Sequence, residues 1–259
     1  MEPELPADGI APGTSFGLPG ELGVPSHERH LPDWCGEAGK PWPDKDQDRG
    51  LVMPEQGIFA VFDGVSANEN GGLAAQRAAD TVETTYQRAE PAVAGRHVSS
   101  VVDELKGCCD AATTRIVQEY PGAATTAVVA RLVTEAEGDE GKGTYVAWVS
   151  VGDSRLYLLR DGELTQITTD EAFGSGLTNA LGGHYGGVRR AGAFMARPGD
   201  RLLLLTDGIT GKGQSDMLNR QEMLEACAGR TAKEAADELL RISRANDDKK
   251  VVVVDPQVA

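Results

Sequence analysis

Aspartates stand at one end of each of four apolar runs in this chain. Ile58-Phe59-Ala60-Val61-Phe62 stops on Asp63-Gly64, and Leu202-Leu203-Leu204-Leu205 stops on Thr206-Asp207-Gly208. The run from Tyr145 to Val151 leads into Gly152-Asp153-Ser154-Arg155, and Asp247-Asp248 precedes Val251 to Val254. Runs this apolar, rich in branched and aromatic residues, suit strands buried on both faces, so each acid marks the point where a core strand surfaces. Carboxylates gathered at such ends repel one another and are costly to desolvate unless a cation lies between them. Hard divalent ions prefer oxygen ligands of this kind, which makes a Mg²⁺ or Mn²⁺ site the chemistry to expect. An Asp-Gly step can also be an ordinary turn, but repetition at four junctions in one chain argues for a shared site.

The elements that must hold these acids fit a single large core. The chain has 259 residues, 40% of them hydrophobic and 25% charged, with a formal net charge of -15. That charge disfavours binding to nucleic acid or to an anionic membrane, and no apolar run is long enough to span a bilayer. Nor does Met1-Glu2-Pro3-Glu4-Leu5-Pro6 have the basic-then-apolar form of a secretion signal. A cytoplasmic, monomeric protein is therefore expected. Cys35, Cys108, Cys109 and Cys227 show no zinc-ligand spacing and are too few for a disulfide framework. They read as reduced packing residues.

In chain order, residues 1–34 are Pro- and Gly-rich and predict a loosely attached arm, leaving 35–259 as one domain. Asp44, Asp46, Asp48 and Glu55 fall on positions of a calcium-loop pattern, but Arg49 occupies the place where glycine is needed and no helix follows. Helices are predicted over Leu73 to Arg88 and over Val98 to Tyr120, the second with Val98, Val101, Val102, Leu105, Cys109, Ala112 and Ile116 on one face. After Pro121-Gly122 come strands over Thr125 to Val133 and Thr144 to Val151, joined by an acidic loop from Glu135 to Lys142, and then a hairpin turning at Asp161-Gly162. Thr168 to Gly187, with six glycines, reads as a mobile flap. Helices over Gln221 to Cys227 and Ala232 to Ala245 precede the closing strand. This order predicts an α+β fold, an antiparallel β-sandwich flanked by helical layers (α-β-β-α), with the acids at one edge of the sandwich.

The residues from about 40 to 254 resemble the type 2C metal-dependent serine/threonine protein phosphatases (PPM-type), bacterial members in particular. Ala60-Val61-Phe62-Asp63-Gly64, Ala124-Thr125-Thr126-Ala127, Val151-Gly152-Asp153-Ser154-Arg155-Leu156-Tyr157, Asn179-Ala180-Leu181-Gly182, Thr206-Asp207-Gly208 and Asn246-Asp247-Asp248 follow in that family's order. The resemblance implies that Asp63 bridges two metals with the Gly64 carbonyl as a further ligand, and that Asp207 and Asp247 hold the second ion. It implies that Asp48 orients waters, that Asp153 with Asp207 holds a third ion, and that Asp48, Asp63 and Asp207 are the catalytic acids. The implied activity is hydrolysis of phosphoserine or phosphothreonine in a protein, opposing a Ser/Thr kinase, by a water activated on two or three Mn²⁺ or Mg²⁺ ions.

Several family features are replaced, among them the usual Asn and Thr of the closing motif by Asp248 and Lys250. The place of the phosphate-binding Arg is near Pro43, so Lys40 or Lys45 would serve as a point charge. Val65 stands where some relatives have a proton-donating His. These changes keep open an alternative, a pseudophosphatase that binds a phosphoprotein or kinase without turnover.

Overall fold

The computed structural model describes residues 31–41, 43, 45–65, 70–87, 96–174, 176–184, 186–211 and 217–258. Leu31–Ala259 forms one compact unit, and the other, Met1–His30, lies outside the described residues, as does most of the predicted arm. Leu31 and Trp34, placed in that arm by the sequence, pack against the core, and the Trp34 ring meets Phe59 edge-on at 5.9 Å between centroids.

The strands are β1 (Cys35–Lys40), β2 (Asp48–Met53), β3 (Ile58–Asp63), β4 (Ala124–Thr125), β5 (Ala127–Gly138), β6 (Gly141–Val151) and β7 (Arg155–Arg160). They continue with β8 (Glu163–Gln166), β9 (Ala172–Phe173), β10 (Gly176–Leu177), β11 (Leu181–Gly182), β12 (Arg190–Met195), β13 (Arg201–Leu205) and β14 (Lys249–Val254). The helices are α1 (Gly71–Gln87), α2 (Val98–Glu119), the single turn α3 (Asp207–Thr210), α4 (Arg220–Cys227) and α5 (Ala232–Ile242). Two antiparallel five-stranded sheets, ordered β1-β14-β13-β7-β8 and β12-β6-β5-β3-β2, face each other. Helices α1 and α2 cover the second sheet, and α4 and α5 cover the first. The architecture is the expected α-β-β-α sandwich.

The strand alternation explains why the central runs are apolar throughout. In β3, Phe59 and Val61 point between the sheets, while Ile58, Ala60 and Phe62 point at the helices. In β13 and β14, Leu202, Leu204, Val252 and Val254 fill the intersheet layer, and Leu203, Leu205, Val251 and Val253 meet α4 and α5. Each such side chain, fully buried, contributes about 1.5–3 kcal/mol. The four free cysteines are buried in these layers.

Three expectations are corrected. The acidic loop from Glu135 to Lys142 is mostly strand. Strands β5 and β6 run on to Gly138 and from Gly141, because their outer positions carry charge into solvent while Ala136 stays buried. A register shift between Val133 and Ala136 absorbs the extra length, with Glu135 at φ +50°. Strand β1 was not foreseen, since Cys-Gly-Glu-Ala-Gly-Lys has no apolar alternation. It owes its form to pairing along the whole of β14, with Gly36 so close to α5 that a Cβ there would lie 2.4 Å from Lys233 Cα. The flap, read as mobile, is tied down at its base by the buried Glu171 and Asn179. The polar turn expected at residues 67–72 and the break after the first helix lie largely outside the described residues.

Candidate metal centre

The acids converge at one end of the sandwich because antiparallel pairing brings strand ends together in pairs. Strands β2 and β3 are in register with Asp48 directly opposite Asp63. In the facing sheet, β13 leaves at Leu205 and β14 enters at Lys249, so Thr206-Asp207 and Asp247-Asp248 are neighbours. The turn between β6 and β7 carries Asp153 at the same end.

Asp63 is held through its backbone. The Thr125 hydroxyl and the Thr126 N–H both donate to the Asp63 carbonyl, at 2.9 and 2.8 Å, and the Asp63 N–H donates to Thr126 Oγ1 at 3.1 Å. Thr126 Oγ1 also lies 2.7 Å from Ser154 Oγ, linking this clamp to the residue after Asp153. The next residue, Gly64, donates its N–H to the Gln47 carbonyl and approaches Gly71 so closely that a Cβ would lie 2.4 Å from that residue's carbonyl carbon. Gly208 is required for the same reason, since a Cβ there would lie 1.7 Å from the Asp248 carbonyl oxygen. Both Asp-Gly steps therefore have glycine because backbone packs on backbone there, not merely because a turn forms.

Asp48 is 5% exposed and accepts a hydrogen bond from the Thr206 hydroxyl at 2.7 Å. Its pKa is pushed up to about 7. Burial is the main cause, opposed by the Thr206 bond and reinforced by the charges of Asp207, Asp248 and Asp247. Asp248, 3% exposed, accepts from the Gln47 N–H at 2.8 Å and so fastens the loop before Asp48 to the facing sheet. Lys45 reaches Asp247 Oδ1 at 3.5 Å. Lys40, by contrast, stands exposed at the end of β1 opposite Lys249. Of the two lysines considered for phosphate, only Lys45 is thus brought to an acid of the cluster among the described residues.

Asp48, Asp63, Gly64, Asp153, Asp207 and Asp247, singled out by the sequence, lie at this end of the sandwich, and the structure adds Thr206 and the Gln47 N–H as partners of Asp48 and Asp248. Thr206 sits in a motif already noted, and a hydroxyl directly before an Asp at a strand end was the available signal. Among the described residues no group of three or more Asp, Glu, His or Cys side chains is arranged to hold a metal ion. What fits a divalent ion at this end is the chemistry of the donors, oxygen ligands with one carboxylate, Asp48, buried among like charges.

Among proteins of known activity, the serine/threonine protein phosphatase PstP of Mycobacterium tuberculosis is 35% identical over 137 residues, which is 44% of this chain and 25% of PstP. The solved catalytic domain of PstP, in complex with two manganese ions, superposes with a TM-score of 0.68 at 23% identity, covering 85% of this chain and 96% of that one. The serine/threonine phosphatase of S. agalactiae gives 0.71 at 16% identity, covering 86% and 99%. At these identities the structures establish a common fold, that of the PPM-type phosphatases. The family described as Stage II sporulation protein E (SpoIIE) matches residues 83–256, a span that holds Asp153, Asp207 and Asp247 and leaves out Asp48 and Asp63. Because that match covers well over half of the sequence, the chain belongs to the SpoIIE family.

Proposed function

We propose that this protein is a metal-dependent phosphatase that hydrolyses phosphoserine and phosphothreonine in proteins, reversing the work of a Ser/Thr kinase. The observation that carries the reading is the concentration of buried and half-buried carboxylates, Asp48, Asp63, Asp207, Asp247 and Asp248, at one end of a sandwich shared with PPM-type phosphatases. In a chain of net charge -15, such an end receives a phosphate only if cations intervene.

The residues that would hold divalent ions are Asp63 with the Gly64 carbonyl, Asp207 and Asp247, with Asp153 available for a further ion. PstP, with two manganese ions, makes Mn²⁺ the first candidate. Such ions supply Lewis acidity, lowering the pKa of a coordinated water and offsetting charge on the phosphoryl oxygens. The chain's own contributions are orientation and charge. Asp48, fixed by Thr206, would accept a hydrogen bond from a water at the site. The Thr125–Thr126 clamp prevents the Asp63 backbone from shifting as charge changes around it. Lys45, already at Asp247, offers a single positive point to an incoming phosphate, without the two-pronged geometry of an arginine.

The test is release of phosphate from an aryl phosphate and from a phosphothreonine peptide with Mn²⁺, with Mg²⁺ and with chelator, beside Asp207→Asn. Turnover that needs metal and disappears in the variant supports the reading. Binding of Mn²⁺ and phosphopeptide by calorimetry, with no phosphate released, would instead make the protein a phosphoprotein-binding module.

A further inference from the structure

Lys40, Lys45, Lys249 and Lys250 stand at the acid end of the sandwich, and two of them are paired with carboxylates. Lys45 reaches Asp247, and Lys250 lies 3.3 Å from Glu37. The other two, Lys40 and Lys249, are directly opposite each other across β1 and β14. Cross-strand partners share a face of the sheet, so two like charges meet there, an arrangement that destabilises a sheet. Among the described residues neither ammonium is paired with a carboxylate. Lys249 donates to the Ser243 carbonyl at 3.2 Å, which uses one of its three donors, and Lys40 is exposed.

Lysine on an edge strand is a common guard against pairing with other chains, and β1 is the edge of its sheet. That accounts for Lys40 but not for Lys249, because β14 is an inner strand, between β1 and β13. Lys249 is half-buried, and burial together with the charge of Lys40 pushes its pKa down, so the fold keeps the pair in spite of the repulsion. The place of the pair relative to the acids is fixed. Lys249 directly follows Asp248 and is separated from Asp247 by at most ~7 Å of chain. Its stem lies against the Asp207-Gly208 step, since a Cβ on Gly208 would be 3.2 Å from Lys249 Cγ. Strand alternation puts Lys40 with Ala38, and Lys249 with Val251, on the α5 face of the sheet.

We infer that Lys40 and Lys249 form a second anion subsite, which holds an anionic side chain of the phosphoprotein about two or three residues from the phosphorylated Ser or Thr. This rests on the phosphatase reading and adds a substrate class to it: acidic or doubly phosphorylated sites. The occupant is negative because only an anion relieves two unpaired ammonium groups held face to face. The spacing follows from reach, since an extended substrate advances ~3.3 Å per residue and two or three residues cover the distance from Asp247 to the pair. The occupant is a flanking group and not the phosphate to be cleaved, because the pair lies on the α5 face, to one side of the acids.

The experiment compares wild type, Lys40→Met, Lys249→Met and Lys249→Arg, all in Mn²⁺, on phosphothreonine peptides in which one Glu, or one non-hydrolysable phosphonate residue in its place, is moved along an otherwise Ala and Ser flank. Anisotropy of the labelled peptides is read beside phosphate release. Wild type is expected to favour the best-placed anion over the anion-free flank about fivefold in kcat/KM, mainly through KM. The preference should fade toward ~0.5 M salt. Lys40→Met and Lys249→Met should each abolish most of it, and Lys249→Arg should keep it. Because Lys40 is exposed, its variant keeps the test open should loss of the Ser243 bond unfold Lys249→Met. Preference for the phosphonate alone upholds the subsite for doubly phosphorylated sites, and preference for both anions upholds it for acidic sites as well. No preference in wild type, or one that survives either Met variant, overturns the inference and leaves the phosphatase reading intact. An anion preference in binding that both Met variants lose, in a protein that releases no phosphate, would uphold the subsite and defeat the phosphatase reading.

Discussion

The two ends of the sandwich treat buried aspartate in opposite ways. At the end away from the cluster, Asp200, 3% exposed, receives both prongs of Arg160 at 2.8 and 2.6 Å and the Arg197 N–H at 2.8 Å. Asp255 there is likewise gripped by Arg201, which also donates to the carbonyls of Cys227 and Arg230. At the other end Asp48 is as deeply buried, yet its charged neighbours are Asp207, Asp248 and Asp247. Burial is the same and the neighbourhood is inverted. An acid paired with arginine forks closes the fold, whereas acids buried against one another destabilise it until a cation arrives.

The strongest way to break this contrast is to remove an acid of the cluster. Asp63→Asn should reduce metal-dependent phosphate release below detection while leaving the far-ultraviolet circular dichroism and the thermal transition of the protein in place. Full activity in that variant would show that the cluster is not the reactive site.

Next in size is the behaviour of Asp48 without metal. Its pKa in the fold lies above the ordinary 3.8, so the folded state binds a proton that the unfolded state releases. Stability of chelated protein should therefore be least above about pH 7 and should rise as pH falls from 7 toward 4. Asp48→Asn should remove that dependence and stabilise the metal-free protein at pH 8 by roughly 2–4 kcal/mol, read from urea unfolding. A destabilised Asn variant at pH 8 would mean that Asp48 is held by compensating charge after all.

The far end should respond in the opposite sense. Arg160→Met leaves Asp200 buried without its fork and should cost about 3 kcal/mol, with turnover at temperatures well below the transition nearly unchanged. Smallest is the effect of the support beside Asp48. Thr206→Val should weaken Mn²⁺ binding about tenfold by calorimetry, the scale of outer-shell changes at metal sites, and unaltered affinity would remove Thr206 from the site.

Much of this contrast was visible in the chain itself. Each Asp-Gly strand end could be read from a handful of consecutive residues, and so could the face of α2, where every predicted apolar position is buried. The arginine forks could not, because Arg160 and Asp200, or Arg201 and Asp255, meet only across the sheet. Nor could β1, whose glycines and glutamate become strand by lying on β14. The flap misled for a related reason. Six glycines signal freedom locally, while the two side chains that cancel it, Glu171 and Asn179, act through Gly152 at the β6–β7 turn.

Doubly buried strands ending in aspartate, amphipathic helices to cover them, and too much negative charge to hold a phosphate unaided were all legible in the order of residues. These are properties of composition and of contacts within a few residues. Which acids lie close enough to repel one another, and what steadies them, depends on the folded chain. Thr206 meets Asp48 across 158 positions and Asp248 meets the Gln47 N–H across 201. Desolvation and Coulomb repulsion depend on distance through space, which the order of residues alone does not specify.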